Sequence, residues 1–371
     1  MRSILPLKYV YIKRKLCYMV FIILALVILT NCVDKFVAPD NSPSTNQVIS
    51  DTLYIQKTPI WTGFNRPQDI LIGKDNFIYI ADTDNDRIVL LNLAGHVLGE
   101  RQIKKPVALA QDFQLNIIVC AQFDTLINGS NINYSAVYKL NMVAGSGHIE
   151  NAPITRLLPK TSFDFLRPDR EYTGVTSFYD NSFYISRKGP SNATLIDPDN
   201  SILIFRKKEL ANGSKIDTLI GRVPLLEPSG TGLMSANNIS SLTSFSGNKL
   251  DMVVTITGEN SFKTQVLEYV HTEDFSGYRN KLSPFVTSMM TVAKFEQPEG
   301  ITLDIFDNVF VADAAKDSIF KFNSFGDEME SFGGPKVFSS PHAVAYYDKT
   351  LYVADTDNNR ILRFVLSTDI D

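Results

Sequence analysis

A repeated stretch near both ends of the chain limits what this sequence can fold into. The first copy contains "IYIADTDNDRIVLLN" from Ile78, and the last contains "LYVADTDNNRILRFV" from Leu351. A third copy contains "VFVADAAKDSIFKFN" from Val309. Short alternating apolar runs separated by Gly, Asp and Asn predict strands rather than helices. A unit that returns in this way predicts a repeat architecture built from small antiparallel sheets.

The spacing inside the units recovers further copies. A Pro precedes the repeat Asp by 15 residues in two units and by 14 in the last, at Pro67–Asp82, Pro298–Asp313 and Pro341–Asp355. Similar offsets identify three middle units that begin at Lys105, Glu171 and Ile239, the last with the weakest match. In the second of these, Tyr172 replaces the Pro and Arg187 replaces the Asp. Six units of roughly 40 to 65 residues, each with four short strands, predict an all-β, six-bladed β-propeller.

The two ends of the propeller are predicted to meet. The last unit stops after its third strand, whereas an unassigned strand-like piece, "TLYIQKTPI" (residues 52–60), precedes the first unit. An N-terminal strand that completes the last blade would leave no open edge in the ring. We therefore predict one propeller domain over residues 51–371.

The repeat resembles a known family. "P-x-G/D-I/V" followed by "Y/F-V/I-A-D-x-x-N-x-R-I" is similar to the motif of NHL-repeat propellers, and it covers three units strongly and the three middle units weakly. The resemblance implies the propeller fold. It leaves the function open, because the family includes ligand-binding modules, protein-binding modules and enzymes.

The acidic stretch "DTDNDRI" has an alternative explanation as a calcium loop. Asp82, Asp84 and Asp86 alternate as calcium ligands do, but Arg87 and Leu93 occupy the places of the required Gly and Glu. We therefore predict structural turns, in which the repeat Asp accepts N–H bonds within the following turn. The Asn three residues later would be left-handed, and the Arg would pair with a neighbouring blade. The residues concerned are Asp82, Arg87, Asp313, Asp355 and Arg360.

The N-terminus has the pattern of an export signal. Residues 1–31 contain five basic residues and no acidic one, followed from Leu16 by the 14-residue apolar run "LCYMVFIILALVIL". This run is shorter than the roughly 18 residues that span a bilayer, which favours a cleaved signal peptide over an uncleaved anchor. It ends in "LTNC", which resembles a bacterial lipobox, although Asn31 is larger than the usual Gly or Ala. The resemblance implies that Cys32 is lipidated.

The segment after the lipobox and the overall charge define the expected surroundings. Residues 32–50 are rich in Pro, Ser and Asn, which is typical of a flexible tether. We expect a chain anchored in the bacterial cell envelope, at the outer membrane and facing the periplasm or the exterior. Without residues 1–31 the chain has 31 basic and 40 acidic residues, which argues against nucleic acid as a partner. Because Cys32 is the expected lipid site, Cys120 has no internal disulfide partner, and its apolar context predicts a buried thiol.

The propeller resemblance also indicates where a ligand would bind. In such rings the strand nearest the axis lines the channel, and ligands lie at its mouth. The residue after the repeat Pro is therefore the candidate ligand-binding position in each unit. Val107 occupies this position in the second unit, and Asn238 or Ser240 in the fourth. The predicted channel-mouth residues are Gln68, Asp69, Thr173, Glu299 and His342.

These residues do not complete a catalytic set, so we predict no catalytic residue and no cofactor. The peptidyl-hydroxyglycine amidating lyase, an enzymatic relative, has a zinc-binding His at this position in three blades, and only His342 matches here. A zinc site needs three protein ligands. The alternative is one divalent metal ion held by Glu299, His342 and Gln68. Lactonase-like propellers instead hold such an ion with acidic and amide ligands, a set that Glu299, Gln68, Asp69 and Asn238 could supply. His342 would otherwise be a neutral imidazole in the channel wall.

The middle third departs from a plain repeat array. The segment 122–172 is predicted as a long insertion with several aromatic residues, and such loops on a rigid ring often carry binding function. The main hypothesis is a non-catalytic binding module for a peptide, a glycan or a partner protein, held at the membrane by its N-terminal lipid. The alternative is a metal-dependent hydrolase or lyase.

Overall fold

The computed structural model describes residues 53–194, 196–284 and 286–369. The predicted signal peptide (1–31), the tether (32–50) and the lipid site Cys32 lie outside the described residues. Within those ranges, 24 strands form six four-stranded antiparallel sheets, and helical structure is limited to six 3₁₀ turns of three residues each. No helix in the same ranges is long and apolar enough to cross a membrane. The predicted all-β, six-bladed propeller is confirmed.

Every blade is a four-stranded meander whose first strand lies next to the channel. The first two blades contain β2 (Pro67–Ile72), β3 (Ile78–Asp82), β4 (Arg87–Leu91), β5 (Val97–Gln102), β6 (Ala108–Gln111), β7 (Asn116–Ile127), β8 (Ser130–Asn141) and β9 (Ile154–Leu158). The next two contain β10 (Glu171–Ser177), β11 (Phe183–Lys188), β12 (Ser201–Glu209), β13 (Lys215–Arg222), β14 (Ile239–Ser244), β15 (Met252–Ile256), β16 (Thr264–His271) and β17 (Ser276–Asn280). The last two contain β18 (Pro298–Leu303), β19 (Val309–Asp313), β20 (Ser318–Phe322), β21 (Glu328–Gly333), β22 (Pro341–Tyr347), β23 (Thr350–Asp355), β24 (Arg360–Leu366) and β1 (Tyr54–Gln56).

The strand directions divide the connections between two faces of the ring. Because neighbouring strands are antiparallel in every blade, the turns after the first and third strands lie on one face, which we call the lower face. The turns after the second strand and the connections between blades lie on the opposite, upper face. Hydrogen bonds join blades on each face: Tyr347 Oη donates to Asn76 Oδ1 (3.0 Å) below, and Thr83 Oγ1 donates to the Pro106 carbonyl (2.7 Å) above.

Strand β1 closes the ring. It pairs antiparallel with β24, with Tyr54 opposite Leu366, and is therefore the fourth strand of the last blade. The Ser367 N–H donates to the Leu53 carbonyl (2.8 Å), which places Leu53 at the lower end of that blade. The prediction that an N-terminal strand completes the last blade is confirmed, and all six blades have four strands.

Apolar layers between neighbouring blades form the core. Alternate residues of a strand point to opposite sides of its sheet, so each sheet contributes to two layers, and buried strands such as "IYIA" (78–81) are continuously apolar. The layer between the sixth and first blades contains Trp61, Ile80 and Ala354. Cys120, predicted to be a buried thiol, is fully buried between the second and third blades, and burial raises the pKa of its thiol.

The repeat Asp holds the upper connection of its own blade. Asp82 is fully buried. Its carboxylate accepts hydrogen bonds from the Asn65 N–H (2.7 Å), Asn85 Nδ2 (2.9 Å) and Arg87 Nε (2.7 Å). The other repeat acids make related contacts, Asp355 with the Ser339 N–H, Asn358 Nδ2 and Arg360 Nε, and Asp313 with the N–H groups of Glu296, Gln297 and Lys316.

Three details of the predicted turn are wrong in the first blade. The backbone donor to Asp82 is Asn65, which precedes the inner strand, and it does not belong to the following turn. The left-handed residue is Asp86 (φ 53°), one position after the predicted Asn85. Arg87 binds Asp82 and the fourth strand of its own blade instead of a neighbouring blade. The turn therefore links the inner and outer parts of a single blade.

The third blade replaces this turn with a network of ion pairs. Arg187 lies opposite Tyr172, in the place of the repeat Asp, as predicted. It donates to the Asp197 carboxylate (2.7 Å) and to the Asp199 carbonyl (3.0 Å). Arg170 donates to both carboxylates, at 2.5 Å and 2.6 Å. Because Arg170, Arg187 and Asp199 are all buried, their charges compensate one another inside the protein.

The middle third is more regular than predicted. About half of the segment 122–172, predicted as an insertion, forms strands: the end of β7, all of β8 and β9, and the start of β10. The aromatic rings of Phe123, Tyr134 and Phe165 pack on one another, and the Arg156 guanidinium lies over Phe123 at 4.2 Å from its centroid. The fourth unit, which had the weakest repeat match, is a complete blade.

Candidate functional site

One residue near the start of each inner strand lies at the upper mouth of the channel. In five blades the pairing of the first two strands skips this residue: Pro67 pairs with Asp82, and the next pair is Asp69 with Ala81. Such a β-bulge leaves the extra residue outside the ladder and redirects its side chain. The skipped residues are Gln68, Thr173, Ser240, Glu299 and His342.

These side chains surround one polar cavity of about 240 Å³. All five predicted mouth residues line it, namely Gln68, Asp69, Thr173, Glu299 and His342. Val107 occupies the equivalent position of the second blade, and Ser240 that of the fourth. The cavity therefore presents an amide, carboxylates, an imidazole and hydroxyl groups in an order that does not repeat around the ring. A non-repeating set of donors and acceptors is suited to recognising one polar group in one orientation.

Glu299 and His342 lie on neighbouring blades at this mouth. Burial lowers the pKa of His342, and Arg66 lowers it further, although the Glu299 carboxylate opposes the shift. The imidazole is therefore neutral at pH 7 and offers one donor and one acceptor nitrogen. Gln297 Nε2 donates to Glu299 Oε1 (2.7 Å), which holds the carboxylate beside the cavity.

Two of the mouth hydroxyl groups are engaged by the fold. Thr173 Oγ1 donates to the Ile239 carbonyl of the next blade (2.6 Å), and Ser240 Oγ donates to the Pro298 carbonyl (2.6 Å). These bonds join the inner strands of consecutive blades. Thr173, predicted to bind ligand, lines the cavity but uses its proton to hold the ring together, so it offers a ligand only its acceptor lone pairs.

Asp69 occupies a position at which the other blades have small residues. The equivalents are Ala108, Gly174, Ser241, Gly300 and Ala343. The Asp69 carboxylate accepts hydrogen bonds from its neighbour Ile70 N–H (2.8 Å) and from Leu109 N–H (2.6 Å) of the second blade. Burial raises the pKa of Asp69 to about 7, and these two bonds only partly offset the effect. Asp69 also lines a second cavity of about 210 Å³ below the first, so it lies between the two halves of the channel.

Replacing Gly300 with Ala is expected to lower the free energy of unfolding by about 1–3 kcal/mol. A Cβ at this position would lie 2.3 Å from the His342 carbonyl oxygen and 2.7 Å from Ala343 Cα. The inner strands of the fifth and sixth blades would therefore have to separate. Chemical denaturation followed by far-UV circular dichroism measures the loss.

Gly232 provides the matched control for that substitution. A Cβ on Gly232 would meet no atom within 4 Å, so Gly232→Ala is expected to change stability by less than about 0.5 kcal/mol. Equal losses in the two variants would contradict the close approach of strands as the cause.

Sequence reasoning missed three polar contributions to the mouth. Gln122 and Ser135 pair across the β7–β8 hairpin and line the cavity. Lys188 Nζ lies 2.9 Å from Glu171 Oε2 on the rim of the third blade. The alternating residues 116–141, taken as two long strands, would have placed Gln122 and Ser135 side by side. Their assignment to an insertion hid that pairing.

The metal-binding alternative depends on the amide of Gln68. Among the described residues, no group of three or more His, Cys, Asp and Glu side chains is arranged to hold a metal ion. Glu299, His342 and Gln68 all line the mouth, so the third ligand of a catalytic zinc there would have to be the amide of Gln68. A Ser–His hydrogen bond does occur, between His271 Nδ1 and Ser276 Oγ (2.6 Å), but it lies on an exposed hairpin of the lower face.

Comparisons with known proteins show the fold. No family model matches the chain, and no curated protein matches its sequence. An auxiliary nutrient binding protein from Bacteroides thetaiotaomicron superposes with a TM-score of 0.53 at 10% identity, over 84% of this chain and 72% of that one. A second auxiliary nutrient binding protein, from Bacteroides ovatus, gives 0.53 at 9% identity, over 84% and 73%. The PQQ-bound aldose sugar dehydrogenase of Streptomyces coelicolor gives 0.52 at 11% identity, over 85% and 98%.

Proposed function

We propose that this chain is a lipid-anchored propeller of the bacterial envelope that binds a ligand at its upper mouth without transforming it. The observation that carries the proposal is the convergence of five bulge residues, which differ from blade to blade, on one polar cavity. The ring supplies a rigid frame, and the side chains that differ between blades supply the recognition.

The chemistry of the mouth favours an uncharged polar group on the ligand. The Gln68 amide and the neutral His342 imidazole each donate and accept, whereas Glu299 accepts only. Hydroxyl groups of a glycan or amide groups of a peptide match this mixture. A phosphate does not, because carboxylates on the cavity wall repel it. A glycan or peptide end, free or displayed on a partner protein, is therefore the proposed ligand.

The location is proposed from the N-terminal sequence. The basic, apolar and "LTNC" segments support export and lipidation of Cys32, and residues 32–50 have the composition of a tether. We place the domain at the outer membrane, facing the periplasm or the exterior. The shared turn of the first and last blades, in which an Asp binds an Asn and an Arg, supports NHL repeats as the unit of the ring.

The structural neighbours support a binding role only coarsely. Two of them are auxiliary nutrient binding proteins, but a third is a sugar dehydrogenase, so the shared ring is compatible with binding and with catalysis. The choice between them depends on the mouth itself.

The test is a binding screen on the full chain in detergent with glycan and peptide arrays, followed by calorimetric titration of the hits. Glu299→Gln and Gln68→Ala are each expected to weaken binding by about tenfold to a hundredfold, because each removes a buried hydrogen bond to the ligand. Glu259→Gln is the control, since Glu259 is exposed on the same face and does not line the cavity. Hits that bind the wild type and all three variants equally would show that the ligand binds outside the mouth.

The metal-dependent hydrolase or lyase is tested in parallel. Elemental analysis of the full chain, purified without chelator, is expected to find no stoichiometric divalent metal. A one-to-one metal that is lost in the Glu299→Ala, His342→Ala double variant would contradict the binding proposal. Turnover of a lactone, ester or peptide that either single variant abolishes would contradict it as well.

A further inference from the structure

Apolar side chains project from the turns of the lower face. Ile305, Phe306 and Phe325 are 74–79% exposed at two turns of the fifth blade. Phe113, Tyr179 and Phe275 are 41–53% exposed at turns of the second, third and fourth blades. Five of these six side chains are aromatic. Among the large exposed hydrophobic side chains described on the upper face, Phe163 is the only aromatic one.

The chain enters the ring at the same face. Leu53 lies beside Ser367 at the lower end of the last blade, and β1 rises from there towards the upper face. Twenty residues separate Leu53 from Cys32 in the sequence. If this segment is the flexible tether that its composition predicts, it would have a root-mean-square reach of about 25 Å. A lipid on Cys32 would therefore hold the lower face close to the bilayer.

We propose that the lower face docks on the lipid bilayer, with its aromatic turns inserted in the interfacial region. This inference rests on the lipid anchor of the proposed function. The contact orients the ring so that the upper mouth points away from the membrane, towards ligand in the surrounding space.

The chemistry of the lower turns fits a lipid surface. Phe and Tyr side chains are favoured at the membrane interface, where a ring can lie among the lipid headgroups. Each of the five turns that carry these aromatic side chains also contains an acidic residue, such as Asp180, Asp274 and Asp307, so attraction to anionic lipid is not the driving force. Docking should then depend on buried apolar area and little on salt. Each insertion is weak, but the tether raises the effective concentration of the bilayer.

Tryptophan reporters in the full chain test the orientation. The chain contains a single Trp, and Trp61 is buried, so it provides a constant background. Phe306→Trp is the lower-face reporter, and Phe163→Trp is the matched upper-face reporter, since Phe163 is 75% exposed. Each lipidated chain is reconstituted in phosphatidylcholine vesicles with brominated acyl chains, and flotation measures vesicle association independently.

We expect the Phe306→Trp emission to shift to the blue and to be quenched by the brominated lipid, while the Phe163→Trp emission stays unchanged. A Phe275→Trp reporter should lose its quenching in a Phe306→Ser, Phe325→Ser background, because each Phe removed weakens docking by about tenfold. If the chains float with the vesicles but Phe306→Trp is not quenched, or both reporters are quenched equally, the docking proposal is overturned and the lipid anchor is kept. Chains that do not float would overturn both.

Discussion

Replacing Asp199 with Asn is expected to lower the free energy of unfolding by about 3–5 kcal/mol, because the change removes a charge from a buried network. The Asp199 carboxylate accepts hydrogen bonds from Arg170 Nε (2.6 Å), Arg167 (2.8 Å) and the Ser191 N–H (2.7 Å). The substitution leaves the buried Arg170 with only part of its compensating charge. Urea denaturation followed by far-UV circular dichroism measures the difference.

A surface ion pair provides the control for Asp199→Asn. Arg279 pairs with Glu268 on the fourth blade at 2.7 Å, and the Arg279 side chain is 66% exposed. Arg279→Gln is expected to cost less than about 1 kcal/mol. A loss at Asp199 no larger than the loss at Arg279 would show that the third-blade network does not stabilise the fold.

The pH dependence of stability gives a second measurement on the same network. Burial alone would raise the pKa of Asp199, but hydrogen bonds from Arg170, the Ser191 N–H and Arg167 outweigh it and hold the pKa below its usual range. The pKa of Asp197 is lowered in the same way by Arg170 and Arg187. The stabilisation is therefore complete above the unfolded pKa of about 4, and it is lost as the pH falls below that value. The Asp199→Asn variant should lose less stability than the wild type over this acidic range.

The blades could be predicted from sequence where the same contact recurs. A bulge after Pro67 and a buried Asp82 that binds Asn85 and Arg87 need particular residue types at fixed offsets, and the last blade repeats all of them. The fifth blade repeats the bulge and the Asp, but Lys316 and Ser318 replace the Asn and the Arg. The mouth positions could be predicted for the same reason, because the residue after the repeat Pro is the bulge residue in each of these blades. Closure followed from counting strands, since only an N-terminal strand could complete the last blade.

Other features could not be predicted, because they depend on partners outside the repeat. Arg187 replaces an acid, and its new partners Asp197 and Asp199 lie in a connection with no counterpart in other blades. The bond from Thr173 to the Ile239 carbonyl joins two blades 66 residues apart, and no local pattern reveals it. The long β7–β8 hairpin exceeds the strand length of the repeat, so the end of β7 and all of β8 were assigned to an insertion.

Replacing Tyr54 with Ala is expected to lower the free energy of unfolding by about 3 kcal/mol. The substitution removes the aromatic packing of the closing strand β1 and leaves a cavity in its place. The Tyr54 ring stacks on Phe332, with centroids 4.7 Å apart, and meets Phe310 edge-on at 6.4 Å. Strand β1 has only three residues, so few other contacts replace this one. The fluorescence of Trp61, which bridges to Ile361 near the closure, reports the transition during urea denaturation.

Two further substitutions in β1 distinguish the contribution of the Tyr54 aromatic ring from those of its hydroxyl group and of the neighbouring residue. The Tyr54 hydroxyl is buried without a hydrogen-bond partner among the described residues, so Tyr54→Phe is expected to keep or slightly raise stability. Ile55→Ala changes the adjacent residue, which is 42% exposed, and should cost less than about 1 kcal/mol. A loss in Tyr54→Phe as large as in Tyr54→Ala would assign the effect to the hydroxyl. Equal losses in Tyr54→Ala and Ile55→Ala would contradict aromatic packing of Tyr54 as the contact that holds the closing strand in place.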